Sequence, residues 1–223
     1  MVTLNLGIDD AGRGPVIGPM ILAGCILDEE AEKELKKLGV KDSKQLTPKR
    51  REFLAEEIKK QAKAYEVVKT FPNEIDRTQV EGTKLNELEA LKVAEIINKL
   101  NDEKQDLKVV IDCPSVSIVK WENFLKQHIK KLATLIISCE HKADVNHISV
   151  SAASILAKSA REEEMDKIRK EYGEEVGSGY TSDPTTQKFV KKYCEKYANK
   201  GLFRKCWKTY QNALGNQTQT TLS

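Results

Sequence analysis

Residues 7 to 19 carry the sequence Gly7-Ile8-Asp9-Asp10-Ala11-Gly12-Arg13-Gly14-Pro15-Val16-Ile17-Gly18-Pro19. This segment lies between two apolar runs, Leu4 to Asp9 and Ile17 to Leu27, which a short glycine-rich turn separates. Two apolar runs joined by so short a loop predict neighbouring antiparallel strands. Asp9 and Asp10 are then expected where the first strand gives way to the turn.

The rest of the chain alternates between short apolar runs and longer amphipathic ones. We predict further strands over Ala64–Phe71, Leu107–Ile111 and Leu135–Cys139, and helices after Thr47-Pro48 and over Leu85–Leu100, Ile118–Leu132, Val150–Tyr172 and Thr185–Tyr197. This order predicts an α/β protein with a mixed five-stranded sheet flanked by helices and a helical C-terminal extension. The expected division is an α/β domain over 1–172, a helical, basic extension over 173–215 and a disordered tail over 216–223.

Charge is unevenly distributed along the chain. The formal net charge is +3, yet residues 185 to 210 hold eight Lys or Arg and one acid, Glu195. Such a segment is expected either of a polyanion-binding extension or of a solvated helix face that happens to be rich in lysine.

The cysteines and the hydropathy pattern bear on the compartment. The five cysteines are scattered and include no C-x-x-C pair, so the sequence predicts neither a zinc site nor a disulfide framework. We find no signal-peptide pattern and no apolar run of membrane-spanning length. A cytoplasmic monomer without a membrane partner is the expectation.

Four acidic residues stand at the predicted ends of strands rather than on helices. Asp9 and Asp10 follow the first strand, Asp112 ends the strand before Cys113-Pro114, and Asp144 follows the last strand. A carboxylate there either caps a turn or helix, or binds a cation that offsets the loss of hydration. With no His or Cys at ligand spacing, the favoured cations are Mg²⁺ and Mn²⁺.

Six blocks, in order, resemble the motifs of the ribonuclease HII family, in particular its archaeal members. The first is similar to the family's D-E-A-G-R-G-P, the fifth to G-S-G-Y-P-S-D-P and the sixth to R-x-S-W-K-T. The blocks are Gly7–Pro19, Asp42–Lys44, Ile111–Ser115, His141–Asp144 with Val150–Lys158, Gly177–Pro184 and Phe203–Thr209.

The resemblance implies a ribonuclease H-like fold and two-metal-ion catalysis with Mg²⁺ or Mn²⁺. It further implies hydrolysis of the RNA strand of RNA·DNA hybrids and cutting 5′ to ribonucleotides embedded in duplex DNA, which leaves 3′-hydroxyl and 5′-phosphate ends. By the same resemblance, the catalytic metal ligands are Asp9, Asp10, Asp112 and Asp144.

Substrate-binding residues are also implied by the resemblance. The backbone of Gly12-Arg13-Gly14 would contact the ribose 2′-hydroxyl, and Tyr180 would lie flat against the deoxyribose that follows the ribonucleotide. Lys44 and Lys142 are candidates for phosphate contacts. Each also has a plain structural interpretation, as a tight turn for the glycines and as surface charge for the lysines.

The chain departs from the family pattern at two motif positions. Asp10 replaces the usual Glu, and Thr181 replaces a proline beside Tyr180. Asp10 therefore raises the alternative of a catalytically weakened, hybrid-binding variant. Another enzyme of the wider ribonuclease H-like superfamily is a further alternative, against which the Gly12–Gly14, Asp42–Lys44 and Gly177–Pro184 blocks argue.

The C-terminal tail carries one partner motif. Gln219-Thr220-Thr221-Leu222 resembles the first half of a sliding-clamp-binding box, Q-x-x-L, without its aromatic pair. The segment is therefore either an interrupted clamp-binding motif or a chance match.

Overall fold

The structure is a computed structural model that describes residues 4–40, 46–102 and 106–220, with side chains through residue 215. Five strands form one sheet in the order β3-β2-β1-β4-β5, with β1 antiparallel to β2 and parallel to β4, and β4 parallel to β5. The strands are β1 (Leu4–Ala11), β2 (Met20–Leu27), β3 (Ala64–Thr70), β4 (Leu107–Asp112) and β5 (Leu135–Glu140). The mixed five-stranded sheet is confirmed.

Helices account for most of the remaining described residues. They are α1 (Glu29–Lys37), α2 (Pro48–Gln61), α3 (Pro72–Val80), α4 (Leu85–Leu100), α5 (Ile118–Lys126), α6 (Ala143–Asn146), α7 (Ile148–Tyr172), a 3-10 turn (Glu174–Val176), α8 (Pro184–Tyr193) and α9 (Lys208–Thr220). The predicted helix start at Thr47-Pro48 is confirmed, since the Thr47 hydroxyl accepts the Arg50 N–H at 3.3 Å.

Several element ends differ from the sequence prediction for local reasons. β2 begins at Met20 rather than Ile17, because Gly18 has a φ of +84° and Ile17 forms only an isolated bridge with Phe203. β3 ends at Thr70, since Phe71 is the N-cap of α3. Helices α5 and α8 are each shorter than predicted at their C-termini.

The described chain forms two compact units that are discontinuous in sequence. The first comprises residues 1–11, 21–68 and 85–160, and the second comprises residues 12–20, 69–84 and 161–223. The second unit thus differs from the predicted extension by including the glycine-rich turn and α3. It has an aromatic core of its own, in which Phe203 lies 5.3 Å from Tyr210 and 6.2 Å from Phe189 between ring centroids. Helix α9 continues to Thr220, past the predicted start of the tail at 216.

In the first unit, the start of α7 packs directly on β1. A Cβ at Gly7 would collide with the backbone of Ser149 and Val150. Only glycine therefore lets α7 approach the strand that carries Asp9 two residues later. This contact gives the N-terminal end of α7 a fixed place beside that strand.

The structure also bears on the cysteines and on the length of the apolar segments. All five cysteines are free thiols, and four of them are buried. Within the described ranges, no helix is both long and apolar enough to cross a membrane.

Candidate active site

The carboxylates of the first unit meet at the carboxyl ends of β1 and β4. These parallel strands pair Ile8 with Ile111, so Asp9 and Asp112 occupy the next positions along them and share one face of the sheet. The Asp112 Oδ1 accepts the backbone N–H of Ala143 at 3.2 Å. That bond places the first turn of α6, which carries the buried Asp144, beside Asp112.

Asp9 is buried among like charges. Burial, followed by the negative charges of Asp10 and Asp112, raises the pKa of Asp9 to about 7, although Ser154 and the Asp10 backbone N–H oppose the increase. The Asp10 N–H donates to the Asp9 Oδ1 at 2.7 Å. Asp10 and Asp112 therefore lie close enough to Asp9 for their charges to disfavour its ionised form. A bound cation would have the opposite effect and favour the ionised carboxylate.

The donor set fits a hard divalent cation. Asp9, Asp10, Asp112 and Asp144 supply only carboxylate oxygens, the ligands that Mg²⁺ and Mn²⁺ prefer. In the part of the chain that the structure describes, however, no three His, Cys, Asp or Glu side chains are already placed to hold one ion. Binding of an ion by three of these carboxylates therefore requires a change from the present arrangement of their oxygens.

Of the two lysine candidates, one can be placed. Lys142 directly precedes α6 and has a φ of 58°, the one left-handed residue other than glycine among the described residues. Its carbonyl accepts the Val145 N–H at 3.1 Å, so this strained residue forms the turn that leads into Asp144. Lys44 lies outside the described residues, as does the rest of the Asp42–Lys44 block.

The turn of Gly12, Arg13 and Gly14 belongs to the second unit and is held through its carbonyl groups. The Arg204 guanidinium donates to the carbonyl of Gly12 at 2.6 Å and to that of Arg13 at 2.7 Å. The Trp207 Nε1–H donates to the carbonyl of Gly14 at 3.0 Å. The side chains of Arg204 and Trp207 thus fix the conformation of this turn from the protein side.

The two glycines of this turn have different surroundings. Gly12 has a φ of +77°, and a Cβ there would lie 2.5 Å from the Arg161 Nε and 2.8 Å from the Pro19 carbonyl oxygen. Gly14 is exposed, its φ is not positive, and a Cβ there would meet nothing within 4 Å. The packing of the described chain therefore explains glycine at residue 12 and leaves residue 14 open to an approaching molecule.

Tyr180 lies in a well-connected loop of the second unit. Its ring is 40% exposed and packs against the Arg161 guanidinium, 4.7 Å from the ring centroid. The preceding Gly179 carbonyl accepts N–H groups from Val16 at 2.9 Å and Ile17 at 3.2 Å. The partly exposed ring is therefore held in place by the Arg161 guanidinium and by the backbone hydrogen bonds of Gly179.

The same loop is fastened by Asp183. Hydrogen bonds from the Ser178 N–H and hydroxyl, with others from Thr185 and Thr186, lower the pKa of Asp183 to about 2. The proline that the family has at residue 181 is therefore not the only means of ordering the loop.

Arg204 is the main residue whose role the sequence did not reveal. It was counted with the basic stretch that was expected to face a polyanion, but its side chain is fully buried. Burial, and to a lesser extent the neighbouring Arg161, lowers the pKa of the Arg204 guanidinium. Its place in the Phe203–Thr209 block was the available signal, yet a lone arginine in a basic segment is normally exposed.

Known proteins share both the sequence and the fold. A family model described as ribonuclease HII matches residues 6–210. The chain belongs to the ribonuclease HII family. It is accordingly a ribonuclease H, an enzyme of the hydrolase class.

Individual ribonuclease HII proteins agree over most of their length. The ribonuclease HII of Thermococcus onnurineus is 45% identical over 91% of this chain and 86% of its own. The crystal structure of ribonuclease H2 from Pyrococcus horikoshii has a TM-score of 0.83 at 39% identity, covering 95% of this chain and 97% of that one. A complex of PCNA with RNase HII from Archaeoglobus fulgidus has a TM-score of 0.80 at 38% identity and covers 94% and 96%.

Proposed function

We propose that this ribonuclease HII hydrolyses the RNA strand of RNA·DNA hybrids and cuts 5′ to ribonucleotides embedded in duplex DNA, leaving 3′-hydroxyl and 5′-phosphate ends. The observation that carries the proposal is the meeting of Asp9, Asp10 and Asp112 at the ends of two parallel strands, where burial and then the charges of Asp10 and Asp112 raise the pKa of Asp9. Such a cluster of carboxylates would bind divalent cations, which offset the repulsion between the negative charges.

Mg²⁺ or Mn²⁺ would be held by Asp9, Asp10, Asp112 and Asp144. When bound, two such ions supply an activated water and stabilise the leaving oxygen of a phosphodiester. The Ala143 N–H would help to orient Asp112 for this role, and the Asp10 N–H would help to orient Asp9, because each bond fixes one carboxylate oxygen.

Recognition of the ribonucleotide would fall to the turn that follows Asp10 in the sequence. The 2′-hydroxyl is the group that distinguishes RNA from DNA, and Gly14 leaves room for a sugar to approach the backbone. Tyr180 would offer its exposed ring to the next deoxyribose. Arg13, Lys44 and Lys142 would contact phosphates.

We propose two larger contacts. The exposed lysines of α8 and the segment after it would follow the duplex backbone, which carries the negative charge. The C-terminal tail would meet a sliding clamp, as the PCNA complex of the Archaeoglobus fulgidus enzyme suggests, and the enzyme would act as a monomer.

The test is cleavage of a duplex that carries one ribonucleotide in an otherwise DNA strand, with Mg²⁺ and Mn²⁺ supplied separately. We expect a cut 5′ to the ribonucleotide, absent from an all-DNA duplex and abolished by Asp112→Asn. Asp166→Asn is the matched control, since Asp166 is an exposed acid of α7 that pairs with Arg169. Cleavage that persists in Asp112→Asn, or equal cleavage of the all-DNA duplex, would refute the proposal.

Asp10 provides a second arm for the same assay. Asp is one methylene shorter than the family's Glu, so we expect altered metal preference and a gain of activity in Asp10→Glu. Hybrid binding without cleavage in either metal, restored by Asp10→Glu, would instead support the weakened, hybrid-binding alternative.

A further inference from the structure

Three side-chain donors grip the carbonyl side of the turn at residues 12 to 14. The buried Arg204 uses Nη2 for Gly12 and Nη1 for Arg13, at 2.6 and 2.7 Å, while its Nε donates to the Gly18 carbonyl at 3.0 Å. Trp207 adds the bond to Gly14. One planar guanidinium thus joins the carbonyls of Gly12, Arg13 and Gly18.

This grip determines where the amide groups point. The peptide bonds of the turn are trans, and in a trans peptide the carbonyl of one residue and the N–H of the next point in opposite directions. With the carbonyls of Gly12 and Arg13 directed at the buried Arg204, the N–H groups of Arg13 and Gly14 are directed away from it. Pro15 has no N–H, so the series of outward donors ends there.

We propose that Arg204, assisted by Trp207, is a positioning residue for ribonucleotide recognition: it presents the Arg13 and Gly14 amides to the sugar. The inference rests on the proposed function, because it assigns to this turn the sensing of a 2′-hydroxyl. Arg204 touches no substrate in this scheme. By binding the carbonyls of Gly12 and Arg13, it prevents the peptide groups from turning over so that their carbonyl oxygens face the sugar.

Arg204 is itself held firmly. The Arg204 Cζ lies 5.0 Å from the centroid of the Trp207 ring. The backbone N–H of Arg204 donates to the Val16 carbonyl at 2.9 Å. The next two residues are fastened to α3, where the Asp76 carboxylate accepts the N–H groups of Lys205 at 2.8 Å and Cys206 at 3.1 Å. A side chain so anchored can impose a conformation on the turn.

The experiment measures binding selectivity with Ca²⁺ in place of the catalytic metal. Dissociation constants are determined for a duplex with one ribonucleotide and for the same duplex made entirely of DNA, and their ratio is the readout. Arg204→Lys keeps the charge but replaces three separate donor nitrogens in a planar fork by one ammonium nitrogen, which cannot match the bonds to all three carbonyls. We expect the ratio to fall about five- to tenfold, with little change in affinity for the all-DNA duplex.

Two further variants separate positioning from general damage. Trp207→Phe keeps an aromatic ring over Arg204 and removes only the donor to Gly14, so we expect a fall in the same ratio of about two- to fivefold. Arg169→Lys is the matched control, because that half-buried arginine of α7 pairs with Glu162 and Asp166 and not with the carbonyls of the turn. Thermal unfolding of each variant reports on folding, and Trp207→Phe decides the matter if Arg204→Lys does not fold.

The outcomes separate this inference from the function on which it rests. A wild-type enzyme that binds both duplexes equally would overturn the recognition role of the turn and the inference together. A selective wild type whose ratio is unchanged in Arg204→Lys and Trp207→Phe, or equally reduced in Arg169→Lys, would overturn the positioning role alone.

Discussion

Gly12 and Arg161 approach each other so closely that a Cβ at residue 12 would lie 2.5 Å from the Arg161 Nε. Gly12 also has a φ of +77°, in the region that side chains rarely adopt. Gly14, two residues on, has neither constraint. The packing thus explains glycine at residue 12 and not at residue 14, and substitution can test the two positions separately.

Gly12→Ala should lower the free energy of unfolding, whereas Gly14→Ala should leave it nearly unchanged and lower activity. The strained backbone at residue 12 costs about 1–2 kcal/mol with alanine, before any displacement of Arg161. At residue 14 the new methyl group would stand where the ribose approaches, and we expect cleavage to fall on the order of tenfold or more. Urea unfolding and single-ribonucleotide cleavage measure the two effects. Full activity in Gly14→Ala would argue against contact there.

Asp9→Asn should stabilise the protein in the presence of a chelator while abolishing cleavage. The pKa of Asp9 is near 7 in the folded state and near 3.8 when unfolded, so the folded state binds more protons between these values. Stability should therefore fall as pH rises from about 4 to about 7. The shift from 3.8 to about 7 corresponds to roughly 4 kcal/mol as an upper bound. Asp9→Asn should remove this loss, as urea unfolding between pH 4 and 8 would show.

Asp183→Asn serves as the control, because the pKa of Asp183 is shifted in the opposite direction from that of Asp9. The pKa of Asp183 is lowered to about 2, so its contribution to stability is present above about pH 4 and is lost as pH falls through 2. We expect this variant to be less stable at neutral pH. A stability of Asp9→Asn that matches wild type at pH 8 would mean that the carboxylates are not crowded as described.

Tyr180 should tolerate phenylalanine and not alanine. Phenylalanine keeps a ring over the Arg161 guanidinium, whereas alanine uncovers that buried cation and removes the platform. Covering the ring with a sugar would remove apolar surface from water at about 25 cal/mol per Å², so Tyr180→Ala should lose about tenfold or more in kcat/KM on a single ribonucleotide. Tyr180→Phe should stay within about twofold. Equal losses in both variants would show that the hydroxyl, not the ring, is used.

The basic C-terminal segment should contribute to the salt dependence of binding. Each lysine that contacts a phosphate adds about 0.9 to the slope of log affinity against log salt concentration. Lys188 and Lys191 are exposed on α8, so their joint replacement by Gln should reduce the slope by between about 1 and 2. Lys33 and Lys37 of α1, which pair with Glu29 and Glu34, are the matched control pair. An unchanged slope would favour the interpretation as a solvated helix face.

The sequence predicted the strands of the sheet because those features are local. Each strand is an apolar run bounded by turn residues, and each acid ends such a run. The grouping of Asp9, Asp10 and Asp112 was implied by the family resemblance and not by local pattern; in the structure it depends on the parallel pairing of β1 with β4.

Helices α1 and α3 were missed because neither has a long apolar stripe. Helix α1 buries only Ala31 and Leu35, and its signals are the Asp28 cap and charged residues. Arg204 was misplaced on the surface for a related reason. Its partners lie about 190 positions away in the sequence, and composition favours exposure for any arginine.

Gly7 places a limit on mutational tolerance near the site. The residue contributes no functional group, yet even one added carbon would collide with the backbone of Ser149 and Val150. Relief would require either α7 to move off β1 or the strand to shift, and the strand carries Asp9 two residues away. Residue 7 should therefore accept no replacement by single substitution, and a library randomised there should return only glycine among active clones.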